Sequence, residues 1–197
     1  MNFFRHCETF SALLKKTQFT DRAGRPLDPG EAFARLSALA GACREKKGLC
    51  HCVGNGASAS LAAHFAADAG KNAALRTMVF TDPALITAIG NDLAYSEVYA
   101  EPLRRYCGPD DVLLAISSSG NSPNIVAAVT AAREKGAAVL TFSALRPDNA
   151  IRSQGDLNVW VPASTYGDAE SAHAFLLHHW LDALTDAASA KNGPAHG

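Results

Sequence analysis

Asp111-Val112-Leu113-Leu114-Ala115-Ile116-Ser117-Ser118-Ser119-Gly120-Asn121-Ser122-Pro123-Asn124 is the stretch that decides how this chain is built. Its first half is a short apolar run bounded by turn residues, the pattern of a buried strand. Beyond it, Ile125 to Lys135 has helical composition and stops at Gly136, a residue suited to the position just past a helix. Ser122 reads as the N-cap and Pro123 as the first helical residue, because proline's missing N–H would be unsatisfied there anyway. The serines therefore fall in a turn between a strand and a helix N-terminus. Free backbone N–H groups and the positive helix end make such a turn an anion site. Ser117, Ser118, Ser119 and Ser122 add hydroxyl donors without adding charge. A phosphate cradle is the expectation, against the plainer alternative of a polar capping loop.

Working outward, strands are expected near 49–53, 75–80, 111–116, 138–142 and 157–161, and helices near 57–70, 83–89, 94–106, 123–135 and 168–189. This alternation predicts an α/β fold, a mostly parallel sheet covered by helices on both faces. Upstream, residues 2–16 form an amphipathic pattern through Phe3, Phe4, Cys7, Phe10, Leu13 and Leu14. Residues 20–30 read as a loop dense in turn formers, and 31–47 as a second helix. The chain is thus expected to be one domain, a helical segment over 1–47 and an α/β core over 48–190, with a frayed tail from Lys191 to Gly197. In such sheets ligands bind beyond the carboxyl ends of the strands, where the strand order reverses. The turns Gly54-Asn55-Gly56-Ala57-Ser58, Thr81-Asp82-Pro83 and Ser117–Ser122 all fall at that end.

Composition narrows the partners. The 197 residues are 48% hydrophobic with a formal net charge of −1, enough apolar material for one core. That balance offers no basic field for nucleic acid and no polybasic membrane anchor. No apolar run approaches the roughly 20 residues of a membrane span, and the N-terminus lacks a signal-peptide core. Five cysteines, an odd number, fit reduced thiols in a cytosolic protein. Cys50-His51-Cys52 lies in an expected strand, where alternate side chains leave on opposite faces, so a zinc knuckle is set aside.

Gly54-Asn55-Gly56-Ala57-Ser58-Ala59 matches the dinucleotide pattern G-x-G-x-x-A, but the nearest supporting acid, Asp82, lies 28 residues beyond Gly54. No nucleotide cofactor is expected. His64 and Asp68 are four apart and share a helix face. Glu170 and His178 stand about 80° apart around another helix and can share a face too. The four together would suit zinc or another divalent ion. His173 and His179 point elsewhere and read as surface or interface residues.

With these residues in view, the chain resembles the phosphoheptose isomerase family of sugar isomerase (SIS) domains. The match is carried by Gly54-Asn55-Gly56-Ala57-Ser58 with His64, by Thr87-Ala88-Ile89-Gly90-Asn91-Asp92, by Gly108 to Leu113, by Ile116 to Asn124, and by Glu170, His173 and His178. The resemblance implies a three-layer sandwich with a five-stranded parallel sheet, wound as in flavodoxin, assembled as a homotetramer with active sites at subunit interfaces. It implies interconversion of sedoheptulose 7-phosphate and glycero-manno-heptose 7-phosphate, an early step toward lipopolysaccharide heptose. Carried over by position, Ser58, Ser117, Ser119 and Ser122 would hold the phosphate of an open-chain sugar, Asn55, Gly56, Ala57, Asn91 and Asp92 would line the sugar, and His64, Asp68, Glu170 and His178 would supply metal and acid–base chemistry. Two positions depart from the family pattern: Asp68 stands where glutamate is usual, and Glu170 where glutamine is usual. The family's glycine-rich loop after the fourth strand is replaced by Ser143-Ala144-Leu145-Arg146-Pro147-Asp148. These departures leave two alternatives, an isomerase for a different ketose phosphate and a non-catalytic regulatory protein of the type that binds a replication initiator.

Overall fold

The computed structural model describes residues 2–192. Helices α1 (Phe3–Leu14) and α2 (Pro29–Glu45) flank a hairpin of β1 (Gln18–Asp21) and β2 (Pro26–Leu27). Then come β3 (Leu49–Gly54), α3 (Ala57–Ala73), β4 (Arg76–Val79), α4 (Pro83–Asp92), α5 (Ala100–Tyr106), β5 (Val112–Ser117), α6 (Pro123–Glu134), β6 (Ala138–Ala144), β7 (Leu157–Val161) and α7 (Tyr166–Asn192). The sheet order is β2-β1-β7-β6-β5-β3-β4. Strands β3 to β7 run parallel to one another, and β1 pairs antiparallel with both β7 and β2.

The five expected strands are present in the flavodoxin-like order, but the sheet has seven. The extra two come from the segment read as a loop. Its turn formers build a tight reversal in which the Asp21 carboxylate accepts the Ala23 and Arg25 backbone N–H groups at 2.9 and 3.0 Å, with Gly24 at φ +76°. Phe19, 5% exposed, anchors this hairpin against Phe33 of α2 with ring centroids 5.5 Å apart. The helix expected over 94–106 is also split, into a 3₁₀ turn at Tyr95–Glu97 and α5. Pro102 explains the break, since a residue without an N–H is tolerated only in a helix's first turn.

Strand alternation sorts the core into two layers. Val112, Leu114 and Ile116 face α2, α3 and α7, where Phe65 stacks on the fully buried Trp180 at 4.9 Å. Leu113 and Ala115 face the α4–α6 side, against Leu103, Ile125 and Val129. Cys50 and Cys52 accordingly point to the first layer while the His51 ring stacks on Phe80 of the second layer, 5.8 Å between centroids. His173 departs from its expected place: it is fully buried, its Nε2 donating to the Ser143 carbonyl at 3.1 Å.

Candidate active site

Strands β3 and β5 are neighbours, with Gly54 opposite Ile116, so their two turns emerge side by side where the strand order reverses. Each turn feeds a helix whose N-terminus has no side-chain cap. Gly56 precedes α3 at φ +55°, and Ser122 precedes α6 with its hydroxyl making no capping bond. Two positive helix ends thus lie side by side, although the Ser58, Ala59 and Ile125 N–H groups turn back onto the carbonyls of Asn55, Gly56 and Ser122 at 3.0 Å.

The serines are placed to add donors. Ser117 Oγ accepts the Gly120 N–H at 3.2 Å and Ser119 Oγ accepts the Asn121 N–H at 3.3 Å, leaving each hydroxyl hydrogen available to an anion. Ser58 is buried at the start of α3, and Ser118 is buried with a hydroxyl that has no partner. The turn cannot tolerate bulk at Gly54, where a Cβ would lie 2.5 Å from the Ser58 carbonyl. The Tyr99 hydroxyl donates to the Gly54 carbonyl from below. Burial is what pushes that phenol up to about 12.

Asn55, expected to line the sugar, is engaged across the two turns. Its carboxamide forms a reciprocal pair with Asn124, 2.9 Å one way and 2.8 Å the other, so it ties the two turns together. Asn91 and Asp92 are exposed at the far end of α4, where Asn91 Nδ2 donates to Asp92 Oδ1 at 2.9 Å. Asp92 lines a groove with Leu85, Ile89, Leu93, Arg105 and Tyr106, none of them part of the serine turn.

A second cluster lies across the α3–α7 seam. His64 Nε2 stands 3.4 Å from Asp68 Oδ2, and the His64 and His178 rings are 5.1 Å apart. One donor atom from each of His64, Asp68 and His178 lies within 4.8 Å of the others, and two imidazoles with a carboxylate suit a borderline divalent ion. Glu170 is not in that group. It shares a face with His178, but eight residues of α-helix rise about 12 Å, which leaves it nearer the sheet's carboxyl end.

His51, Cys107 and Asp111 form the other close group of possible ligands among the described residues, buried toward the opposite end of the strands. Asp111 is already occupied: it accepts from Leu49 N–H at 2.7 Å, Gly108 N–H at 2.8 Å and His51 at 3.0 Å. Burial acts to raise its pKa, yet these bonds outweigh burial and hold it below the usual value. Burial pushes Cys107 up to about 12, which keeps it a thiol. The group is a folded polar network that joins β3 to the loop before β5.

An α/β domain with two helix N-termini and a serine-rich turn side by side at its strand-order reversal is the class that fold and site define. Residues 29–144 match the SIS domain family. In sequence the chain is similar to the phosphoheptose isomerase of Aromatoleum aromaticum, with 33% identity over 181 residues covering 85% of this chain and 90% of that relative. It is similar also to the phosphoheptose isomerase of Solidesulfovibrio magneticus, 36% identical over 166 residues, 81% and 77% of the two chains. Phosphoheptose isomerase GmhA from Neisseria gonorrhoeae superposes with a TM-score of 0.71 at 32% identity, over 78% of this chain and 86% of that one. The Francisella tularensis phosphoheptose isomerase shares the fold, with a TM-score of 0.77 at 24% identity over 93% and 95% of the two chains. The chain belongs to the phosphoheptose isomerase family of SIS-domain enzymes, aldose–ketose isomerases.

Proposed function

We propose that this enzyme interconverts sedoheptulose 7-phosphate and glycero-manno-heptose 7-phosphate through an enediol. The observation that carries this reading is a match of lengths. His64 lies seven residues into α3, about 10 Å along the helix from the uncapped N-terminus beside the serine turn. An open seven-carbon chain bearing a terminal phosphate spans about 9–10 Å when extended, at little over 1 Å of advance per bond. A phosphate held by Ser58, Ser117, Ser119 and Ser122 therefore leaves C1 and C2 within range of His64, Asp68 and His178.

In this reading His64, Asp68 and His178 hold a divalent ion of the zinc class. When bound, such an ion polarises the substrate's hydroxyl and carbonyl oxygens. Asp68 takes the proton that moves between C1 and C2, and His178 protonates the oxygen. Glu170, about 12 Å higher on α7, stands too far from that cluster to share the base role and is left to line the sugar.

The exposed aromatic side chains of Phe3, Phe4, Tyr166 and Phe175 (72, 76, 59 and 55% exposed) support assembly into a homotetramer, in which Asn91 and Asp92 reach a neighbour's sugar. Sedimentation would return a monomer mass if that is wrong. No helix among the described residues is long and apolar enough to cross a membrane. The catalytic reading is tested by incubation with sedoheptulose 7-phosphate in deuterium oxide. Deuterium should enter at C1 or C2. Its absence with the metal-replete protein, for this and related ketose phosphates, would overturn the proposal.

A further inference from the structure

Residues 144–151, at the end of β6 and just after it, are stitched onto the serine turn. Ala144 N–H donates to the Ser118 carbonyl at 3.1 Å, Ile151 N–H to the Gly120 carbonyl at 3.1 Å, and Ala150 N–H to Asn121 Oδ1 at 2.8 Å. Asn149, 4% exposed, sits at the centre of this stitching. Its Nδ2 donates to the Arg146 carbonyl at 2.8 Å and to the Ala144 carbonyl at 3.4 Å, while its Oδ1 accepts the Arg152 N–H at 3.1 Å. The two bridged carbonyls bracket Leu145, which takes φ +59°. A residue with a side chain holds that conformation only where its surroundings enforce it. Directly opposite, Gly120 has φ +64°, and a Cβ there would overlap the Asn149 carboxamide.

We propose that Asn149 is a positioning residue for the anion cradle: by bracing the bend at Leu145 against Gly120, it holds the Ser117–Asn121 turn in its binding shape before any ligand arrives. The inference rests on the reading that this turn takes the substrate's phosphate. Preorganisation of this kind raises affinity by removing the cost of ordering the turn on binding. Asn149 touches no reacting atom, so its loss falls on phosphate affinity and KM more than on kcat.

Inorganic phosphate is the probe, titrated calorimetrically into the full chain well below its melting temperature. Wild-type protein should bind it, and Ser119→Ala should weaken binding. If wild type binds no phosphate, the cradle reading itself fails. Given binding by the wild type, Asn149→Ala should weaken phosphate by about tenfold, the equivalent of one well-made hydrogen bond to a charged group. Affinity within about twofold of wild type would overturn the positioning role. A second comparison does not depend on that variant folding well. KM is independent of the fraction of a variant that is folded, so Asn149→Ala should raise KM for a sugar phosphate about tenfold while kcat per folded molecule stays near wild type. A KM within about twofold of wild type would refute the interlock.

Discussion

His173 makes the acid stability of this protein a quantitative test of the core. Burial holds its pKa at about 4, against an ordinary 6.5, and the hydrogen bond to the Ser143 carbonyl only partly opposes that shift. Between those values the unfolded chain carries a proton that the folded chain refuses, so acidification favours unfolding. The stabilisation is complete above pH 6.5 and drains away as pH falls toward 4. From 6.5 to 4.5 is about 2 pH units at 1.36 kcal/mol each, so about 2–3 kcal/mol should be lost through this one ring. His51, also held low by burial against the pull of Asp111, and the native carboxylates add slopes of their own. A variant separates them: His173→Gln keeps an N–H donor toward Ser143 but cannot titrate. Urea unfolding at fixed protein concentration, at pH 7 and at pH 4.5, gives the comparison. Wild type should lose about 2–3 kcal/mol more than the variant over that interval. Equal losses would show that the buried ring is protonated in the native state, and the reasoning would fail.

Three further outcomes are expected. Ser119→Ala and Ser122→Ala should each raise KM for a sugar phosphate by about tenfold or more, since a hydrogen bond to a charged group contributes about 1.5–3 kcal/mol; steady-state kinetics read this directly. His178→Ala and Asp68→Asn should lower the divalent-metal content found by elemental analysis and reduce turnover by at least about 100-fold. Gly54→Ala should destabilise the fold by about 1–3 kcal/mol, because the new methyl meets backbone at Ser58 and Ala59 rather than a movable side chain, and thermal unfolding would register it.

Much of this architecture was legible from local pattern. The run from Val112 to Ile116, Ser122-Pro123 and Gly136 each obey rules that act within a few residues, and all three fell where expected. The five parallel strands did too, since two-sided burial writes itself as unbroken apolar runs. What escaped depends on distance in space. Asn55 looks free in sequence, and only the adjacency of β3 and β5 shows that Asn124 occupies its amide. His173 looked like a surface residue on helical angle alone, yet α7 lays it against β6. Angle likewise suggested Glu170 and His178 as partners, while the rise along the helix separates them. Asn149 carried no local signal, because its role comes from a glycine 29 positions earlier.

The hairpin at residues 18–27 gives the sheet a defended boundary. Without β1 and β2, strand β7 would present a row of unpaired N–H and C=O groups to any other extended chain, a ready template for intermolecular strand addition. The hairpin takes up that row over Leu157 to Trp160 and then ends in a strand of two residues that begins with proline. Pro26 brings no N–H to the new edge, and so short a strand offers little to copy. A truncation that removes residues 1–27 would therefore be expected to stay rich in helix and sheet, yet to gather into higher-order aggregates through β7.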